Sequence, residues 1–169
     1  MSEVYLFNTQ VRETNEGTKE ILNYFKAKGY SFTNVENDKE YQKIDVDYIC
    51  KNGNKESLLE IKVDSYKTGN IFYEYYSNFE LKTQGCFEKT KADFILYYFS
   101  QLRTLYILNP IALREYVTYN KNTWTPKYIP NTTFHSMGFA IPIAEIKARD
   151  SALSKEKKHK KIIQGIHKI

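Results

Sequence analysis

The chain of 169 residues contains only two cysteines, Cys50 and Cys86, too few and too unlike in context for a disulfide framework or a four-ligand zinc site. Reduced thiols are the simple reading. No apolar run approaches the length needed to span a bilayer, and Met1 to Asn8 lack the charged start and long apolar core of a signal peptide. These absences predict a soluble, intracellular, cytoplasmic protein with no membrane partner. Also missing are a Gly-rich phosphate loop, a dinucleotide fingerprint and a G-x-S-x-G elbow, which sets aside the enzyme classes built on them. The three histidines, His135, His159 and His167, are scattered, and nothing beyond residue types supports a Cys-His nucleophile pair.

What the chain does have is length for one domain with a real core, and aromatic residues to fill it: 15 Tyr and 10 Phe within a hydrophobic fraction of 41%. Such residues belong to strands by propensity. The net charge of +5 and a pI near 9.0 favour an anionic partner, and suit a merely soluble basic protein equally well.

The most informative stretch runs from Asp45 to Lys62. Ile44, Val46, Tyr48 and Cys50 alternate with Asp45, Asp47 and Ile49, Lys51 to Lys55 supply a turn around Gly53, and Ser57 to Val63 resume as an apolar-rich strand. Residues two apart share a face of a strand, so Asp45 and Asp47 point one way. On the second strand Glu60 and Lys62 point together, with Leu59 and Ile61 toward the opposite layer. A hairpin brings the two polar sets onto one surface. Carboxylate oxygens are hard ligands suited to Mg²⁺ or Mn²⁺, which use one or two protein carboxylates plus substrate phosphate. A lysine beside them suits the orientation or deprotonation of water, or the neutralisation of a phosphate. An exposed polar sheet face produces the same short pattern.

These residues resemble the PD-(D/E)xK nuclease superfamily, with its restriction-endonuclease-like fold. Asp45 matches the first acid of the family and Glu60-Ile61-Lys62 its second motif, although Ile44 stands where the family pattern has proline. Thr68 to Glu74 look like the following strand, and Gly85 with Thr90 to Asp93 and the strand from Phe94 to Tyr98 sit where many members have a small-residue turn and a core strand. The resemblance covers about residues 10 to 110. It implies an α/β domain with a mixed central sheet flanked by helices, and a Mg-dependent deoxyribonuclease in which Asp45, Glu60 and Lys62 are catalytic. It further implies metal ligation by Asp45, Glu60, the Ile61 carbonyl and an acid on the first helix, with Glu16 the first candidate and Glu20 the second. A solvated acidic helix face is the plainer account of Glu16 and Glu20.

Elsewhere, Thr14 to Lys28 read as a helix capped by Thr14 and stopped by Gly29, in which Glu13, Glu16 and Glu20 share a face and Gly17 weakens the first turn. Asn109-Pro110 opens a second helix. Ser65, Tyr66, Lys67 and Thr68 follow Lys62 and suit either phosphate contacts or an ordinary turn, while Glu74 reads either as approaching the site or, the slightly favoured reading, as a polar residue on the exposed face of a Tyr-rich strand. Residues 1–148 form the expected nuclease-like domain, and 149–169 a basic tail or helix carrying Lys155, Lys157, Lys158, Lys160, Lys161 and Lys168, with Ile162, Ile163 and Ile166 along one side. The functional expectation is hydrolysis of DNA phosphodiesters by a protein able to act as a homodimer. The alternative is a catalytically silent nuclease-fold accessory factor, phage-like in type, that binds DNA or protein; RNA cleavage is a third.

Overall fold

The computed structural model describes residues 3–131, 133–153 and 160–169. The first helix, α1 (Glu3–Lys26), is followed by β1 (Ser31–Asn34), the short α2 (Lys39–Gln42), β2 (Tyr48–Asn52), β3 (Lys55–Asp64), β4 (Asn70–Asn78), β5 (Thr83–Gln84) and the short α3 (Cys86–Lys89). Then come β6 (Phe94–Phe99), β7 (Thr104–Leu108), α4 (Pro110–Asn120), β8 (Lys127–Pro130), β9 (His135–Pro142), α5 (Ile143–Leu153) and β10 (Ile163–Lys168). The fold is mixed α/β. A six-stranded sheet runs β1-β2-β3-β6-β7-β10, and a four-stranded sheet runs β5-β4-β9-β8. In the larger sheet β3 and β6 are parallel and the other pairings antiparallel.

Alternation along the strands sorts the core into two layers. Leu59 and Ile61 of β3, Leu96 and Tyr98 of β6 and Leu105 of β7 face α1, where Ile21 and Phe25 bury against them. The opposite face carries Ile95, Tyr97 and Phe99, which meet Ile71 and Tyr73 of β4, Phe139 and Ile141 of β9, Leu113 of α4 and Ile146 of α5. Glu60 pairs with Ile95 and Lys62 with Tyr97 in the parallel ladder, so both face this inter-sheet layer. The sequence expectation of one helix on each side of the sheet is therefore amended: α1 covers one face, and a second sheet covers the other together with α4 and α5.

Buried tyrosines keep their hydroxyls satisfied, which is why so aromatic a core is tolerated. Tyr73 donates to Glu88 at 2.5 Å, Tyr97 to Asp64 at 2.8 Å and Tyr98 to Glu20 at 2.5 Å. Asn109 accepts from the Ala112 amide at 3.0 Å, capping α4 as its sequence suggests.

Two expectations are corrected. Thr14 does not cap α1, because the helix begins by Glu3 and runs through it. The stretch from 149 is not an appended tail or basic helix: Arg149 and Asp150 lie within α5, and β10 pairs antiparallel with β7 at the edge of the large sheet. Ile162 is fully buried. Lys155, Lys157, Lys158 and His159 lie outside the described residues. The return of the chain is fixed by Asp150, itself buried, whose two carboxylate oxygens accept from the amides of Ile162 at 3.0 Å and Ile163 at 2.8 Å, while Arg149 pairs with it at 2.8 Å. Losing charge-assisted bonds and leaving buried donors unpaired costs about 2–3 kcal/mol. Asp150→Ala should lower the urea-unfolding free energy by about that amount, and truncation after Lys147 should unfold the chain. Unchanged stability of the substituted protein would mean that β10 is held by its ladder alone.

Candidate active site

The turn before β2 is clamped from outside the hairpin. Lys89 donates to the Gln42 carbonyl and the Asp45 carboxylate, each at 3.1 Å, Thr90 donates to the Asp45 carbonyl at 2.6 Å, and the Lys91 amide donates to the Ile44 carbonyl at 2.8 Å. Asp45 sits at φ 46°, a left-handed conformation that Asp tolerates better than most residues. It is therefore a turn residue rather than the strand residue its alternation suggested. The extended backbone begins nearer Asp47, whose amide donates to the Leu59 carbonyl at 2.9 Å.

Asp47, rather than Asp45, carries the carboxylate tied to the Glu-x-Lys strand. Its Oδ2 accepts from the Ile61 amide at 2.7 Å. Burial raises its pKa, with the Ile61 bond and the Lys62 charge opposing that rise. On β3, Lys62 Nζ lies 2.6 Å from Glu60 Oε1. Glu60 is only 4% exposed, and its Oε2 is a buried oxygen without a hydrogen-bond partner among the described residues. Burial pushes the Glu60 carboxyl up from 4.5 to about 7, against the pull of Lys62. Burial also opposes the Lys62 charge. The negative groups near it, Cys86 when ionised, Glu60 and Asp47, outweigh that and hold the ammonium above the ordinary lysine range. The Cys86 thiol itself is pushed up to about 12, chiefly by burial, so it is neutral at physiological pH.

Above this ion pair lies a cleft of about 360 Å³ between the C-terminal end of β3, β4 and α1. Lys62, Asp64, Glu74 and Glu13 supply its polar lining. A second cavity, lined by Asp45, Lys89, Glu74 and Cys86, shares Glu74 and Cys86 with the first. Glu60 does not line the cleft and meets it through its ion pair with Lys62, and Asp47 lines neither cavity.

Of the acids of the first helix, Glu13 lines the cleft and Glu16 and Glu20 do not. Glu16 pairs with Arg12 at 2.9 Å on the exposed side of α1, and Glu20 receives the Tyr98 hydroxyl. The cause is Gly17: a Cβ there would come within 2.6 Å of Val63 Cγ1, so only glycine lets α1 lie this close to β3. Glu13 is one turn before Gly17 on the same helix face, whereas Glu16 is turned away. Glu74 is likewise not an exposed sheet residue. It is half-buried and accepts from the Cys86 amide at 3.3 Å, and Gly85 passes so near that a Cβ would meet the Glu74 carbonyl at 2.3 Å. Of the loop after Lys62, Ser65 and Tyr66 line the cleft, and Lys67 and Thr68 are exposed.

Among the described residues no three His, Cys, Asp and Glu side chains form a group able to hold a cation unaided. No helix among them is long and apolar enough to cross a membrane. No family model, curated protein or solved structure matches the chain.

Proposed function

We propose that the chain is a metal-dependent deoxyribonuclease of the PD-(D/E)xK type, with a restriction-endonuclease-like core formed by α1, β1, β2, β3 and β6. The observation that carries this reading is Glu60: a buried carboxylate with one oxygen on Lys62 and the other without a partner. Leaving a buried acceptor unpaired costs about 1–3 kcal/mol, more for a charged group. A chain bears that cost where the oxygen has a second occupant to meet, and carboxylate oxygens next to a cleft suit Mg²⁺ or Mn²⁺. Glu60 and Asp47, neighbours on the two hairpin strands, would hold the ion, and Asp45 is the acid that the family pattern adds. The Ile61 carbonyl is the backbone ligand that the family pattern implies. Two protein carboxylates are enough for Mg²⁺ when water and substrate phosphate complete its shell.

When bound, the cation supplies a lowered water pKa and neutralises charge on a phosphodiester oxygen. The protein's own part is held by Lys62. Its ammonium is kept charged, so at neutral pH it acts as a donor to the phosphate or to the attacking water rather than as a base. Its side chain is 34% exposed, so the ammonium can meet a phosphate from the cleft while paired with Glu60 Oε1.

Incubation of the purified protein with supercoiled, linear and branched DNA and with RNA, with Mg²⁺ and with chelator, tests the reading. Mg²⁺-dependent DNA cleavage that is lost in Lys62→Ala supports it. DNA binding without cleavage would assign the chain to the silent accessory class, and cleavage of RNA alone would correct the substrate.

A further inference from the structure

Interleaved with its carboxylates, the cleft carries apolar side chains open to solvent. Tyr66 is 65% exposed and Ile129 43% exposed, and Phe72 completes the wall between them. Three separate elements converge here: the loop after β3, β4 and the edge strand β8. The backbone that carries each aromatic is pinned. The Tyr66 amide donates to Asp64 Oδ1 at 2.7 Å, and the other oxygen of that carboxylate takes the Tyr97 hydroxyl at 2.8 Å. Phe72 lies over Gly138 of β9, where a Cβ would meet its Cζ at 2.8 Å, and the Phe72 amide donates to the Tyr97 hydroxyl at 3.0 Å. Tyr97 thus ties both aromatics to the same sheet that carries Lys62, its ladder neighbour.

Exposed aromatic surface on a pinned backbone next to a charged group is costly for a free protein and useful to a ligand with one flat apolar part and one anionic part. From this we infer that Tyr66, Phe72 and Ile129 form a nucleobase subsite that seats one unpaired nucleotide of single-stranded DNA, with its phosphate at Lys62. The inference rests on the nuclease reading of Lys62 and adds the substrate class. The cleft volume of about 360 Å³ is at the small end of ligand sites and suits a single nucleotide. Inside a duplex the base faces are covered by their neighbours, so stacking on this wall requires a base already out of the stack. Stacking on an aromatic side chain contributes about 1–3 kcal/mol per base and is tolerant of base identity. The subsite therefore selects unpaired structure over sequence. Because Glu13, Asp64 and Glu74 also line the cleft, the phosphate needs a divalent cation to approach, and binding is measured with Ca²⁺ present.

The test is fluorescence anisotropy in Ca²⁺ with a labelled oligodeoxythymidylate, the same length of abasic deoxyribose-phosphate, and a blunt duplex. The wild-type protein should bind the base-bearing strand about tenfold more tightly than either of the others, and Tyr66→Ala should remove most of that difference while leaving the abasic affinity unchanged. Tyr66 is exposed, so its loss does not threaten folding; Phe72→Leu, which keeps an apolar contact over Gly138, should give a smaller loss in the same direction. Equal binding of base-bearing and abasic strands by a protein that still cleaves DNA would overturn the subsite and leave the nuclease reading standing. Failure of all three polymers to bind or be cleaved would overturn both.

Discussion

Glu60→Gln is expected to lower metal-dependent cleavage about a hundredfold or more while making the protein more stable above neutral pH. The two effects have one cause. In the unfolded chain the carboxyl ionises near 4.5, and in the folded chain it keeps its proton up to about 7 because burial penalises the charge. Its stabilising contribution is complete below about pH 4.5, is lost as pH rises, and is gone above about 7. Each unit of difference is worth about 1.4 kcal/mol, so the loss across that window is on the order of 3 kcal/mol, with the opposing pull of Lys62 already included. Gln fills the same volume and does not titrate. Urea unfolding at acid and alkaline pH should show the wild-type curve falling through this window and the variant nearly flat. Cleavage close to wild type, with contaminating nuclease excluded, would remove Glu60 from the chemistry; matching pH profiles would mean the carboxyl is not buried as described.

Lys62→Ala is the companion variant, with a similar loss of cleavage. Glu60 then loses its only cation at 2.6 Å, so its carboxyl should hold a proton to still higher pH and the stability window should widen upward. A purely structural role for the pair would move stability without the selective loss of turnover.

The placement of Glu60 and Lys62 was legible in the sequence because a strand has a period of two and both neighbours, Leu59 and Ile61, are apolar. The same rule failed at Asp45. Alternation assumes extended backbone, and the clamp from Lys89 and Thr90, more than forty residues away, turns the chain at that point. Choosing Glu13 over Glu16 needed the close approach of Gly17 to Val63, a tertiary contact of which the sequence shows only a glycine that lowers helix propensity. The final strand was hidden for a different reason. Ile162, Ile163 and Ile166 among lysines satisfy a helical stripe, yet Ile163 and Gly165 straddle a register irregularity that lets both Ile162 and the β7 edge be covered. Asp150, the residue that fixes this return, is an unremarkable acid in sequence. For the second sheet, nothing local in the sequence says that β4 and β9 pair with each other rather than with the first sheet.

Titration of Mn²⁺ into the protein should release close to one proton per ion at pH below about 7, and almost none well above it, because Glu60 must be ionised to accept a cation. Apparent affinity should rise with pH up to that point and then level off. In Glu60→Gln the proton release should vanish, with affinity at least about tenfold weaker. The two aspartates can be separated in the same experiment. Asp47 lies on the Glu60 side of the sheet and has one oxygen fixed by the Ile61 amide, which orients the other, while Asp45 is engaged by Lys89 and lines the adjoining cavity. Asp47→Asn should therefore weaken Mn²⁺ more than Asp45→Asn does, and excess Mn²⁺ should restore part of the activity of the Asp45 variant. Chelation should stop cleavage without unfolding the domain, since its core is built from Ile, Leu, Phe and Tyr rather than around an ion. Calorimetry in buffers of differing ionisation enthalpy counts the protons directly. Mn²⁺ affinity indifferent to Glu60 and to both aspartates would leave this polar layer a buried ion pair on the floor of a cleft, and the nuclease reading would fall with it.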